Sequence, residues 1–347
     1  MTLPKTLVLL VIMAAAMACG PDEAATPETL RLMAHDSFAG SVNEETFARF
    51  TEATGIDVEM IAAGDAGSMV NQAALSKDNP LADVLFGVDD TFLSRALDEE
   101  IFVEHASPAL EDVGDEFIPE TALVTPIDYG DVCINYDKSW VKDTGTPVPS
   151  ELDQLREPRY AGALTVEHPA TSSPGLAFVL ATIDEYGEDA WLEFWSDLEA
   201  GGVSVVPDWD TAYYSDFTPY GGDSPMVVSY ASSPPAEVIF ATEPIDEAPT
   251  GVVEAGCYRQ VEYAGILAGT DYPEAAGQLI DFMLSVEFQE TVPLTWFVFP
   301  VNETAELPPE FVEHTTIPAD PARLEPATIA ENRDRWIDEW VAVMEGR

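Results

Sequence analysis

Apolar and polar positions along this chain alternate with two different periods, and the change from one to the other comes at regular intervals. Residues 30–34 form a short apolar run that reads as a strand. Asn43 is placed to cap a helix whose Phe47, Phe50 and Ala53 share one face, with Gly55 as its stop. Ile56, Val58 and Met60 then alternate as a half-buried strand. Ser68 is expected to open a second helix reaching Leu75, closed by Asn79 and Pro80. Residues 82–88 are almost continuously apolar, as befits a parallel strand covered on both faces, and a further helix is expected over 91–97. Strands and helices of these lengths in strict alternation predict βαβ units and a parallel sheet.

The rhythm breaks at residues 126–137 and then starts afresh. Strands are predicted over 163–166, 203–206 and 226–229, with helices over 176–186, 190–198 and 236–241. A second long strand-like run, 257–267, reads as a return crossing. A helix over 272–284 follows, and Thr328 with Glu331 forms a capping box for a terminal amphipathic helix. That last helix carries Ile329, Trp336, Ile337, Trp340 and Met344 on one side and is expected to pack on the first part of the chain. The fold class is therefore α/β with two lobes, 30–128 plus 263–347 and 129–262. Each lobe is expected to be a mostly parallel sheet with flanking helices, and two hinge strands join them. Two crossings over a cleft describe a device that closes on a ligand.

Composition narrows the setting. At 347 residues the chain can bury a large core, and 46% of it is apolar. Its 64 acidic residues stand against 14 basic ones, which excludes nucleic acid as a partner because phosphate neutralisation needs Lys and Arg. Such a Lys-poor acidic surface keeps a protein solvated and dispersed in saline surroundings. Residues 1–18 read as an export signal, with Lys5 before an apolar run and small residues just before Cys19. That pattern resembles a bacterial lipoprotein signal, which makes Cys19 the lipidated residue and 19–29 a polar tether, with the protein on the outer face of the cytoplasmic membrane or in the periplasm. Cys133 and Cys257 lie one in each crossing strand, and in an oxidising compartment they invite a disulfide.

In a parallel sheet ligands gather beyond the carboxyl ends of the strands. That places Asp36, Ser37, the turn 64–68 and Asp89 at one rim. Gly67 and Ser68 at a helix start can offer N–H groups to an anion, although simple capping accounts for them better. The hydroxyl-rich run 168–175 fits anion binding and capping equally well. Trp209, Tyr213 and Tyr214 are aromatics in a polar loop, Tyr230 ends a strand beside Ser232 and Ser233, and Trp296 suits either a cleft wall or the core.

Together these segments resemble the thiamine-binding periplasmic proteins, the solute receptors of ABC-type importers. The resemblance rests on the run 35–38, the strand 83–89, Asp128-Tyr129-Gly130, the run 171–176, and Trp209 with Ala212 and Tyr213. It extends to Ser229-Tyr230 with Ser233-Pro234, Gln260 with Glu262, Phe288-Gln289, Trp296 with Pro300-Val301, and Trp336-Ile337 with Glu339-Trp340. These matches run in order over nearly the whole mature chain. The resemblance implies the type II binding-protein fold, a thiamine or thiamine phosphate ligand, an importer permease as partner, a monomer, and neither cofactor nor metal. It assigns Ser172, Trp209 and Tyr230 to the thiazole and phosphate end and Trp296 to the aminopyrimidine. Asp36 or Asp89 adds attraction for the cationic thiazolium. The chain departs from the family pattern at His35, where Tyr is usual, near Val42, where a Trp is missing, and at Ala236, where a Tyr is missing.

Two other functions compete. Tyr213 and Tyr214 resemble the paired tyrosines of ferric-iron receptors of the same fold. A secreted hydrolase using two carboxylates is the rival of another class, but neither a G-x-S-x-G nor an H-E-x-x-H pattern occurs. The acidic surface makes a prediction of its own: the thermal midpoint rises as sodium chloride is added, because screening relieves self-repulsion. A midpoint indifferent to salt in a calorimetric series counts against the saline reading.

Overall fold

The computed structural model describes residues 26–346, so the export signal, Cys19 and most of the tether lie outside it. Ten strands form one hydrogen-bonded sheet: β1 (Thr29–Ala34), β2 (Asp57–Ala62), β3 (Val84–Asp89), β4 (Phe102–Val103), β5 (Thr125–Asp137), β6 (Leu164–Glu167), β7 (Ser204–Val206), β8 (Met226–Tyr230), β9 (Thr250–Leu267) and β10 (Phe299–Pro300). The main path runs β2-β1-β3-β9-β5-β8-β6-β7, with β4 beside β9 and β10 beside β5. At one end β2, β1 and β3 are parallel, and at the other β8, β6 and β7 are parallel. Between them β5 and β9 pair antiparallel over most of their length, from Thr125 opposite Ala264 to Asp137 opposite Thr250. One continuous sheet thus carries both parallel groups.

The local reasons are plain in the sequence. Every residue of β3 is buried, matching its unbroken apolar run, whereas β2 at the edge alternates exposed and half-buried positions. The ladder between β5 and β9 shifts register between Pro126 and Asp128, where Pro126 has no N–H to give, and again between Val132 and Ile134. Cys133, at this second shift, is bonded to Cys257. The expected staple between the crossing strands is present.

Several boundaries differ from expectation. The helix expected from Ser68 begins at Ala66, because Asp65 rather than Ser68 caps it by accepting the Ala66 N–H at 2.7 Å. The return strand begins seven residues early, at Thr250, since pairing with β5 stabilises a stretch whose own pattern is weak. The terminal helix Pro326–Met344 has no capping box. It starts behind Glu325 with Pro326 in the first turn, where a missing N–H costs nothing. It also reaches across the molecule instead of packing on the first group alone. Trp340 meets Trp195 edge-on with centroids 5.5 Å apart, and Trp336 Nε1 donates to Glu188 at 2.9 Å. Toward the first group, Arg333 lies 5.4 Å over the Phe92 ring. Among the described residues no helix is long and apolar enough to cross a membrane.

The disulfide joins positions 124 residues apart, so it restricts the unfolded chain strongly. Replacing both cysteines by Ala is expected to lower the unfolding free energy by about 2–5 kcal/mol in denaturant titrations under oxidising conditions.

Candidate functional site: an acidic aromatic cleft

The strand ends of both parallel groups open on the same side of the two crossing strands, and a cavity of about 600 Å³ lies between them. His35 and Asp36 reach it from the end of β1, Tyr230 from the end of β8, and Glu262 from the middle of β9. Trp209 and Trp296 supply two aromatic walls. Trp209 stacks on Tyr213 at 5.0 Å, with planes 16° apart, and its Nε1 donates to Ser229 Oγ at 2.9 Å. Trp296 is set edge-on to Phe38 at 4.9 Å, and its Nε1 donates to Asp128 Oδ2 at 3.0 Å. Both indoles are fixed at both ends, which orients their faces in advance of any ligand. Tyr230 lies over Gly130, where a Cβ would come within 2.9 Å of its ring, and its hydroxyl donates to Gln260 Oε1 at 3.1 Å.

The charge of the site has one sign. Asp36, Asp210 and Glu262 line this cavity, while Asp36, Asp65, Asp208 and Asp210 line a smaller adjoining one of about 340 Å³. Neither has a Lys or Arg in its wall. Burial pushes Asp65 above the ordinary carboxylate range, opposed by the nearby Ser172 hydroxyl and by the hydrogen bond from the Ala66 amide. Burial also raises Asp210, reinforced by Asp208 and Asp65. Below the cavity floor, Asp128 and Glu262 face each other across the β5–β9 register. Burial and the Glu262 charge push Asp128 well up. Burial opposes the Glu262 charge too, but His35 and the Asp128 hydrogen bond outweigh it and hold Glu262 low. The two carboxyls are thus pushed in opposite directions, Asp128 toward its neutral form and Glu262 toward its charged one. Such an arrangement attracts a cation and offers it aromatic faces.

Not every expected residue comes to the cleft. Asp36, Trp209, Tyr230 and Trp296 line the larger cavity. Asp89 does not: it is fully buried, and its carboxylate accepts Thr91 Oγ1 at 2.9 and 3.0 Å and the Phe92 N–H at 3.3 Å. Those short-range donors fold its carboxylate back onto the turn that follows β3. Ser172 is buried as well and lines neither cavity; its hydroxyl acts on Asp65 beside the smaller one but makes no hydrogen bond of good geometry. Of the hydroxyl run, Thr171 reaches the smaller cavity, and its Oγ1 donates to the Pro207 carbonyl at 2.7 Å. Tyr129 is drawn away from the cleft into a stack between Phe117 and Phe299. Composition and spacing alone did not single out Tyr220, Phe240 and Phe297, which also line the cavity. An aromatic exposed in a loop was the available signal, used for Trp209 but not for these.

Direct contacts bridge the two rims. The Gly67 N–H donates to the Thr171 carbonyl at 3.0 Å, and the Trp209 N–H to Asp65 Oδ2 at 3.4 Å. Ser232 Oγ donates to the Phe297 carbonyl at 2.6 Å, and the Phe240 and Phe297 rings meet at 5.3 Å. Phe297 adopts a left-handed φ of 58° to do so. The cleft is closed.

A two-group α/β sheet with paired crossing strands and a closed cleft at the strand ends defines a solute-binding protein. Residues 79–319 match the model of the bacterial extracellular solute-binding proteins, and the chain belongs to that family. Over 332 residues it is 30% identical to the thiamine-binding periplasmic protein of Salmonella typhimurium, covering 93% of this chain and 95% of that one. A solved periplasmic thiamin binding protein superposes with a TM-score of 0.79 at 28% identity, covering 91% of this chain and 96% of that one. Iron-bound HitA from Pseudomonas aeruginosa shares the fold, with a TM-score of 0.72 at 20% identity over 90% of this chain and 99% of its own. The fold is that of the type II periplasmic binding proteins.

Proposed function

We propose that this protein is an exported solute receptor that captures thiamine or a thiamine phosphate in the cleft and delivers it to an ABC importer. The observation that carries this reading is a cavity walled by pre-oriented indole and phenol rings, lined by carboxylates and lacking Lys and Arg. The cationic thiazolium is the part of thiamine such a cavity complements, and the relatives' names point to the same ligand. Trp209, Tyr230 and Trp296 hold the rings of the ligand, and Asp36 and Glu262 supply the negative field. Ser172 acts through Asp65, and Asp89 shapes the wall from behind. No bond is made or broken, and neither metal nor cofactor takes part.

Capture is reversible closure. Lobe 1 (30–128 plus 263–347) and lobe 2 (129–262) rotate about β5 and β9, and the rim contacts at Gly67, Asp65 and Phe297 form as they meet. A lipid on Cys19 and the short tether keep a monomeric receptor at the outer face of the membrane, within reach of its permease.

The ferric reading is weaker on chemistry. Tyr213 donates its hydroxyl to Glu237 at 2.8 Å, and burial together with the Glu237 charge pushes its pKa well up. A ferric phenolate needs the opposite.

Calorimetry is expected to show thiamine binding one to one, with the neutral aminopyrimidine half alone binding at least tenfold more weakly. Trp209→Ala is expected to lose about 1–3 kcal/mol of thiamine affinity; unchanged affinity for this variant removes the indole from the site. Closure has its own test. A Cβ on Gly67 would lie 2.8 Å from both the Ala170 carbonyl oxygen and Phe92 Cζ. Small-angle scattering with saturating thiamine should therefore give Gly67→Val a larger radius of gyration than the parent protein.

A further inference from the structure

His35 sits in a seat built for it. Its ring lies over Gly87 of β3, where a Cβ would come within 2.2 Å of Cδ2, and Gly87 has a φ of 95° at a register shift between Phe86 and Val88. No other residue at position 87 leaves room for the imidazole. The Phe38 N–H donates to Nδ1 at 3.2 Å, and the Ser37 hydroxyl lies 2.9 Å from the same nitrogen. An amide only donates, so the neutral ring accepts at Nδ1 and carries its proton on Nε2. Nε2 faces Glu262 Oε1 at 3.3 Å, in the floor of the cavity.

We propose that His35 determines which ligand charge the cleft accepts. Neutral, it leaves the Glu262 charge uncompensated beneath a cationic ligand; protonated, it cancels that charge and repels the cation. The proposal rests on the functional reading above. A second proton has to enter at Nδ1, and two things follow. The His35–Glu262 pair becomes net neutral, and the Phe38 N–H loses its acceptor, leaving Ser37 Oγ as the only partner for the new N–H. Phe38 belongs to the short helix Asp36–Ser41, which carries Asp36, Ser37, Gly40 and Ser41 on the cavity wall. Protonation thus weakens both the field and the wall.

The charged groups around the ring are all acidic. Glu262 faces it from β9, Asp65 from the start of the helix Ala66–Leu75 and Asp210 from the segment beginning at Trp209, while β3 presents only Phe86 and Gly87. Asp128 acts on it through Glu262. Burial resists charging the ring, yet these carboxylates, Glu262 foremost, outweigh it and raise its pKa above the usual histidine value. The ring in the empty cleft is therefore easier to protonate than a free histidine. An entering cation competes with that proton, and one proton leaves to the buffer for each protonated receptor that binds.

The sign follows from linkage. A ligand that prefers the deprotonated ring binds more tightly as pH rises, and below the ring pKa its dissociation constant grows by up to about tenfold per pH unit. Thiamine affinity would be measured by tryptophan quenching from about pH 5.5 to about 8.5, in the parent protein and in His35→Gln, which keeps hydrogen-bonding atoms but cannot charge. Calorimetry in two buffers of different ionisation heat counts the protons released. Thiamine's own titration is common to both proteins and cancels in their ratio. The expected result is a parent-to-variant affinity ratio that falls in acid, with protons released only by the parent. Parallel profiles, or no release, overturn the assignment. The ring Cε1–H resonance of the unaltered protein gives an independent test, since its midpoint must move to lower pH when thiamine saturates the cleft, and an unmoved midpoint overturns the assignment even if His35→Gln fails to fold. Absence of thiamine binding throughout overturns the functional reading itself, and this proposal with it.

Discussion

The antiparallel ladder between β5 and β9 is the interaction on which everything else hangs. It joins β3 of one parallel group to β8 of the other in one continuous ladder, and Glu262 of β9 lines the ligand cavity. Cys133 and Cys257 tie the strands covalently, and Arg259 forks onto Asp131 through Nε at 2.6 Å and Nη2 at 3.0 Å. The same strands present Glu262 to the cavity, with Gln260 and Asp128 behind it. The crossing strands therefore carry the buried carboxylates, while the rims contribute loop aromatics.

The cleft's selectivity is mainly a matter of dielectric. Carboxylates scattered over the surface of this protein are screened within about 8 Å at physiological ionic strength, so most of its large negative charge is silent at the site. Asp128 and Glu262 are buried and Asp65 is half-buried, where screening is weak. Asp128 is pushed up beside a Glu262 held low, which limits the negative charge there. Excess acidity outside and metered acidity inside are separate devices, one serving solubility and the other recognition.

Much of this was legible in the chain. Alternating strand and helix periods located eight of the ten strands to within a few residues, apart from the early start of β9, and missed the two-residue β4 and β10, because burial on both faces leaves an unmistakable apolar run only in a strand of some length. The pair of crossings and the disulfide followed from where two cysteines fall. Trp209 and Tyr230 were recognisable because aromatics at strand ends in polar loops have no obvious packing reason to be there, whereas spacing favoured the core for Trp296 and only the family resemblance assigned it to the ligand. What failed was short-range competition. Asp89 and Ser172 occupy strand ends just as Asp36 does, but their neighbours Thr91, Phe92 and Asp65 turn them inward, and no periodicity records that. Phe240 and Phe297 become neighbours only across the two rims, so no local signal pairs them, although each is a loop or helix-end aromatic.

The left-handed backbone at Phe297 has a further meaning. A residue with a side chain costs about 1–3 kcal/mol in that region, and here the conformation is held by a hydroxyl and a ring from the opposite rim. When the rims part, those restraints go and the peptide can relax. Part of the work of closing is thus stored as torsion in a single residue next to Trp296. A receptor that must surrender its cargo benefits from such a spring, because it makes the grip firm enough to carry and shallow enough to release.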